Sequence, residues 1–129
     1  MTLDTILLAR ALRDPATAAY LVRTLDVHRT PADVADAKAV RFWRCVLPLL
    51  AVTKSDPVGL SEAIATAGYP DACTIALAIP PYLDAAAGST RDLVSLFNAG
   101  GGTQFRLSIT AGARPVSTSI ASGTRKVAA

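Results

Sequence analysis

Apolar residues along the first 98 positions recur at spacings of three and four, the pattern of amphipathic helices that bury one face. The clearest stripe surrounds the only tryptophan and comprises Ala39, Val40, Trp43, Val46, Leu47 and Leu50. Lys38, Arg41 and Arg44 fall on the neighbouring face of the same helix. We therefore predict a core helix around the tryptophan, with one buried face and a cationic face beside it.

Several predicted helices begin at a side chain that can accept hydrogen bonds from the first turn. Asp14-Pro15 and Asp56-Pro57 combine such a cap with proline at the first helical position, and Ser89 has an acidic residue three positions later. Thr30-Pro31-Ala32-Asp33 predicts the start of the tryptophan helix by the same logic. Pro48 lacks an amide proton, so we expect that helix to kink or restart there.

A pair of prolines and a glycine divide the second half of the helical region. Asp71 can begin an apolar helix that Pro80-Pro81 must interrupt, and Gly88 ends the short segment after the prolines. A last helix is expected to run from Ser89 to Asn98. The pattern thus predicts a mainly α protein, a small bundle of about six helical segments in residues 1–99.

The apolar period changes from 3.6 to 2 after the three glycines at 100–102. Residues 103–110 and 116–120 read as strands joined by a five-residue turn at 111–115. We expect this predicted β-hairpin to have one apolar face, formed by Phe105, Leu107, Ile109, Val116 and Ile120. The expected organisation is a helical domain (1–99), a glycine hinge (100–102), a C-terminal β-hairpin arm (103–121) and a basic flexible tail (122–129).

Composition agrees with one globular domain of 129 residues. Hydrophobic residues make up 51% of the chain but aromatic residues only 5%, which favours close helix packing through small side chains. The uncharged apolar runs are shorter than the roughly 18 residues of a membrane span, and the N-terminus lacks the pattern of a secretory signal. We expect a protein with no membrane partner, located in the cytoplasm or within a virus particle.

Side chains for catalysis are sparse. His28 is the only histidine, and most carboxylates fall at caps or first turns of predicted helices, so we expect no enzymatic activity. Cys45 and Cys73 lie in apolar segments without metal-ligand spacing, which predicts two buried thiols. The glycines at 100–102 match neither phosphate-binding nor dinucleotide-binding loops. We therefore expect no metal and no other cofactor.

Charge is unevenly distributed. Residues 1–54 hold eight basic and five acidic residues, residues 55–98 hold one and five, and residues 99–129 hold four and none. Ten of the thirteen cations are arginine, which binds phosphate and carboxylate in bidentate fashion. We consider three roles for these arginines: a solvated face, contact with the acidic middle segment of a neighbouring subunit through Asp84 or Asp92, and phosphate binding. The candidate nucleic-acid-binding residues are Arg41, Arg44, Arg106, Arg114, Arg125 and Lys126.

A two-stranded hairpin is marginal in water and needs a partner for its apolar residues. The hairpin packs either on the helices of its own chain or, as an arm that moves at the glycine hinge, on another subunit. In the second case, the five apolar residues from Phe105 to Ile120 form an oligomer interface.

The order of helices followed by a hairpin resembles small viral coat and nucleocapsid subunits in architecture alone. We therefore expect a non-enzymatic assembly protein that forms a homo-oligomer through its arm and binds RNA or DNA through arginines. The alternative is a small cytosolic regulatory domain that binds DNA or a protein partner as a dimer.

Overall fold

The computed structural model describes residues 2–53, 56–102, 105–109 and 115–118 of the chain. This part is mainly α-helical. Its helices are α1 (Leu3–Arg13), α2 (Pro15–Thr24), α3 (Val34–Thr53), α4 (Pro57–Thr66), α5 (Ala72–Leu77), α6 (Pro81–Ala86) and α7 (Thr90–Asn98). The described residues hold one helix more than the six or so expected, and the interruption predicted at Pro80-Pro81 is confirmed, since it separates α5 from α6.

Helix α1 lies in the middle of the bundle and contacts α2, α5 and α7. Apolar residues surround most of its circumference, which is typical of a helix enclosed by others. The buried residues of α1 are Leu3, Ile6, Leu7, Leu8, Ala9, Ala11 and Leu12. The sequence pattern predicted helices that each bury one face, so it underestimated how central α1 is.

Helix α3 supplies the other large part of the core. The predicted burial of Val40, Trp43, Val46, Leu47 and Leu50 is confirmed, and Trp43 is fully enclosed. The helix runs through Pro48 without a restart. We attribute this continuity to the buried side chains on both sides of the proline, whose packing outweighs the lost backbone hydrogen bond.

The caps predicted for three helices are confirmed. Asp14 accepts a hydrogen bond from the amide of Ala16 (3.1 Å), Asp56 from Gly59 (3.2 Å) and Ser89 from Asp92 (3.1 Å). The predicted start of α3 is wrong by one turn, since the carboxylate of Asp33 caps it by accepting from the amide of Asp36 (2.7 Å). Residues 30–32 stay outside the helix because the side chain of Asp36 binds the amide of Ala32 instead.

Two strands follow the helices: β1 (Arg106–Ile109) and β2 (Pro115–Thr118). They pair antiparallel, with Arg106 opposite Thr118 and Ile109 opposite Pro115. Strand β2 lies beside α6 of the same chain. The predicted turn at 111–115 includes Pro115, which instead begins β2; the rest of the turn and the predicted basic tail fall outside the described residues.

Candidate functional site

The six candidate nucleic-acid-binding residues are only partly described. Arg41 and Arg44 are both exposed on α3, one turn apart. Arg44 also has a structural contact, because its Nε donates a hydrogen bond to the carbonyl oxygen of Val27 (2.6 Å). Arg106 begins β1, while Arg114, Arg125 and Lys126 lie outside the described residues. The structure therefore brings Arg41 and Arg44 together and leaves the other four untested.

Two other arginines, both on α1, bind groups of their own chain. Arg10 binds α6 through Asp84, with Nε 2.8 Å from the carboxylate and Nη2 2.6 Å from the carbonyl oxygen. Arg13 donates to the carbonyl oxygens of Leu77 (3.2 Å) and Ile79 (3.0 Å) at the end of α5. Asp84 thus already has a cationic partner in its own chain, which weakens the idea that it meets a neighbouring subunit.

The five candidate interface residues do not share one environment. Phe105 is buried in the hydrophobic core of its own chain, which leaves it little surface for another subunit. Leu107 lies opposite Ser117, and Val116 lies opposite Ser108. Since opposite residues share a face of a sheet, this register divides the apolar positions between two faces and corrects the expectation of one common face. Ile120 lies outside the described residues, and contact with another subunit stays a prediction.

The glycines at 100–102 have defined positions in the bundle. Gly100 adopts φ +79° and ends α7. The amides of Gly100 and Gly101 donate to the carbonyl oxygens of Phe97 (3.0 Å) and Leu96 (2.9 Å), which is the Schellman arrangement. A Cβ atom on Gly102 would lie 3.0 Å from Leu3. These contacts give the glycines defined neighbours in the helical part of the chain, and a hinge at 100–102 stays a prediction.

A buried ion pair holds the connection between α2 and α3. The guanidinium of Arg29 binds both carboxylate oxygens of Asp36, at 2.5 and 2.8 Å, and Asp36 is only 2% exposed. Arg29 also lies over the ring of Phe97, 4.8 Å from its centroid. The Arg29 guanidinium lowers the pKa of Asp36, and the amide of Ala32 has the same effect. This cluster stabilises the fold and offers no accessible group to a ligand.

A groove of about 260 Å³ opens between α1, α3 and α5. We call it the α1–α3–α5 groove; its lining residues are Asp4, Thr5, Leu8, Ala35, Lys38, Ala39, Phe42, Ala72 and Ile75. Trp43 fixes one side of Asp4, since the indole Nε1 donates to Oδ1 over 2.8 Å. Burial raises the pKa of Asp4, and the nearby charge of Asp36 acts in the same direction.

Exposed apolar side chains adjoin this groove. Ile75 lines it and is 56% exposed, and Val34 precedes the lining residue Ala35 and is 75% exposed. Phe42 forms part of the wall and packs edge-on against Trp43 and Tyr69, with centroids 5.1 and 4.8 Å away. The groove therefore combines apolar surface with one carboxylate and one ammonium group, a composition suited to a protein partner.

The remaining candidate chemistry is limited within the described residues. No group of three or more His, Cys, Asp or Glu residues there could hold a metal ion. His28 is exposed in the α2–α3 connection, and both cysteines are free, with Cys73 buried and Cys45 half-buried. In the described part of the chain, every helix is too short or too polar to cross a membrane.

Comparison with known proteins adds no relationship. The chain matches no protein-family model, no curated protein and no solved structure.

Sequence reasoning missed the role of Asp4, which was counted as a helix-start residue, and it assigned no role to Asp36. Asp36 precedes Val40 by four positions and so extends the buried stripe of α3 by one turn. Asp4 precedes buried Leu8 by four positions in the same way. The sequence did contain a signal for both residues, namely a carboxylate at the helical spacing of a buried stripe. A carboxylate buried in this way needs a hydrogen-bonding partner elsewhere in the fold.

Proposed function

We propose that this protein is a non-enzymatic structural protein that self-associates, with the hairpin that follows Phe105 acting as an arm toward another copy. The main support is the strand register, which distributes apolar positions over both faces of a two-stranded sheet. The helices of one chain can cover only one of these faces. The other face is then available to a second copy, and so is the edge of a strand on the side where no other strand pairs with it.

Point variants in the full chain test the arm better than truncation. A chain ending at Gly102 would also lose Phe105 from the core, so a change in mass would have two explanations. Leu107→Glu and Val116→Glu introduce a charge on one face each, and Val58→Glu on the exposed surface of α4 is the matched control.

Light scattering coupled to size exclusion gives the readout, with circular dichroism as a check on folding. We expect at least one hairpin variant to have a lower subunit number than the wild type and the Val58→Glu control. A wild-type protein that is monomeric at every concentration would contradict self-association. An oligomer that both hairpin variants leave unchanged would contradict the arm.

The oligomer size also separates this proposal from the alternative. A dimer that forms no larger species favours the small regulatory domain, whereas higher oligomers favour an assembly protein of the coat or nucleocapsid kind.

Nucleic acid is the second proposed partner. The supporting observation is the row of exposed cations Lys38, Arg41 and Arg44 on α3, of which Arg41 makes no ion pair among the described residues. Arg106, Arg114, Arg125 and Lys126 are the further candidates later in the sequence. RNA or DNA phosphates are the ligands that such arginines bind.

A further inference from the structure

The α1–α3–α5 groove carries two opposite charges that do not neutralise each other. Asp4 and Lys38 both line it, yet the ion pairs of the described residues are Arg10 with Asp84 and Arg29 with Asp36. Trp43 holds the carboxylate of Asp4 in place through Oδ1, and Lys38 is exposed on α3. Neither group has an ion-pair partner among the described residues; Lys38 is exposed, and Asp4 is half-buried in the groove wall.

The same face carries a projection and a depression of similar chemistry. Ile75 projects from α5 with more than half of its surface exposed, beside the depression formed by Leu8, Ala39 and Phe42. Val34, one turn before Lys38 on α3, is exposed as well. Apolar side chains of this size are buried preferentially when a partner offers a matching surface.

A second copy of the chain is the partner that satisfies both features. A two-fold interface uses the same face of both copies: if a residue of one copy contacts a second residue of the other, the reverse contact also forms, so the face must contain both members of every complementary pair. This face contains a carboxylate and an ammonium group, and an apolar projection beside an apolar depression.

We propose that the α1–α3–α5 groove is a two-fold interface in which Lys38 pairs with the partner subunit's Asp4 and Ile75 enters the partner subunit's groove. This inference rests on the proposed self-association and adds a second contact, distinct from the hairpin. Two kinds of contact on one chain allow assemblies larger than a dimer.

Ile75→Glu tests the apolar half of the interface. Leu77→Glu is the matched control, because Leu77 is on the same helix, is 47% exposed and does not line the groove. We expect Ile75→Glu to raise the dissociation constant of the two-fold contact at least about tenfold, and Leu77→Glu to leave it unchanged. Sedimentation velocity over a concentration series measures this constant. Equal behaviour of the two variants would overturn the proposal.

Lys38 tests the charged half without disturbing the hydrogen bond between Asp4 and Trp43. Lys38→Glu places like charges together and should dissociate the contact, while Lys38→Arg should retain it. Tryptophan fluorescence verifies that each variant is folded, because Trp43 packs directly behind the groove. Full assembly by Lys38→Glu would overturn the pairing with Asp4.

Combining these variants with the hairpin variants separates the two hypotheses. If the groove is a two-fold interface, hairpin variants still form dimers that Ile75→Glu dissociates. If hairpin variants and Ile75→Glu each give monomers, the groove binds the neighbour's arm and the two-fold interface is wrong. An oligomer that responds only to hairpin variants overturns this inference but supports the arm, and a monomeric wild type contradicts both.

Discussion

Arg29 and Asp36 form a bidentate ion pair, with the two guanidinium nitrogens 2.5 and 2.8 Å from the two carboxylate oxygens. The pair joins the α2–α3 connection to the first turn of α3. The ring of Phe97 covers the guanidinium from α7. Three separate parts of the chain thus depend on one buried carboxylate.

We expect Asp36→Ala to lower the free energy of unfolding by about 3–5 kcal/mol, because it leaves the buried guanidinium of Arg29 without its partner. Asp33→Ala is the control, since it removes only the exposed cap of the same helix and should cost about 1 kcal/mol. Urea denaturation of both variants measures the difference. Similar losses in the two variants would show that the ion pair contributes no more than a cap.

Asp36 and Asp4 should affect stability in opposite directions with pH. The pKa of Asp36 is lowered from 3.8, so its stabilisation is complete above pH 3.8 and is lost as the pH falls through its folded pKa. The pKa of Asp4 is raised from 3.8, so the folded state holds its proton more tightly and stability falls as the pH rises from 3.8 through the raised value.

Asparagine variants separate these two contributions. Asp4→Asn keeps an oxygen that can accept from Trp43 and removes the titration, while the other charges near this site, Lys38 and Asp36, remain. Relative to the wild type, Asp4→Asn should gain stability as the pH rises above 3.8. Asp36→Asn should be less stable than the wild type at neutral pH, and this difference in stability should decrease as the pH falls below 3.8. Denaturation midpoints between pH 3 and pH 7 provide the test, and parallel curves for wild type and variants would contradict the assignment.

Trp43 is fully buried, and Trp43→Ala should cost on the order of 3–5 kcal/mol, the range for emptying a large aromatic site. Trp43→Phe retains most of the apolar volume, so it should destabilise the protein less than Trp43→Ala. It also leaves Oδ1 of Asp4 without its donor, and this part of the cost should decrease in acid as Asp4 takes up a proton. The fluorescence of the wild type is an independent check, because Trp43 is the only tryptophan. An emission maximum typical of indole in water would contradict its burial.

Gly100 and Gly88 form a matched pair for the cost of adding a Cβ atom. Both have positive φ, +79° and +106°, so alanine at either position should cost about 1–2 kcal/mol in backbone strain. At Gly100 the new Cβ would also lie 3.1 Å from the Cβ of Ala32, whereas at Gly88 it would meet open space. Gly100→Ala should therefore be the more destabilising variant in thermal denaturation. Equal losses of stability would mean that the α2–α3 connection moves to accommodate the new methyl group at little cost.

Local patterns were sufficient to predict most helices. The caps at Asp14, Asp56 and Ser89 act within one turn, so neighbouring residues determine them. The start of α3 was misplaced because Asp36 binds Ala32 and Arg29 in preference to a longer helix. Pro48 failed to interrupt α3 for a related reason, since its buried neighbours decide the outcome.

The candidate site was harder to predict, because its residues meet only in the folded chain. Asp4 and Trp43 are 39 positions apart, and the groove that Asp4 lines needs α5 as its third wall. Arginine spacing was equally ambiguous. Arg10 and Arg41 look alike in a helical pattern, yet Arg10 holds Asp84 inside the bundle while Arg41 is exposed.

Salt dependence tests the proposed nucleic-acid interface. Each arginine that neutralises a phosphate should contribute roughly 0.7–0.9 to the slope of log K against log salt concentration. Arg41→Gln is the informative variant, since Arg44 also holds the carbonyl of Val27 and its loss would disturb the fold. Arg91→Gln is the control, because it removes the same charge from an exposed position on α7.

We expect Arg41→Gln to reduce the slope for single-stranded RNA or DNA by roughly 0.7–0.9, and Arg91→Gln to leave it unchanged. Replacing Arg106 and Arg114 together should reduce it further if the arm also contacts phosphate. Should these two arginines meet an acidic neighbouring subunit instead, the double variant would weaken assembly while nucleic-acid affinity stays negligible. Fluorescence anisotropy at several salt concentrations, run beside a sizing column, separates the two outcomes. An absence of binding at low salt, where phosphate contacts are strongest, would remove nucleic acid from the proposed function and leave a self-assembling protein.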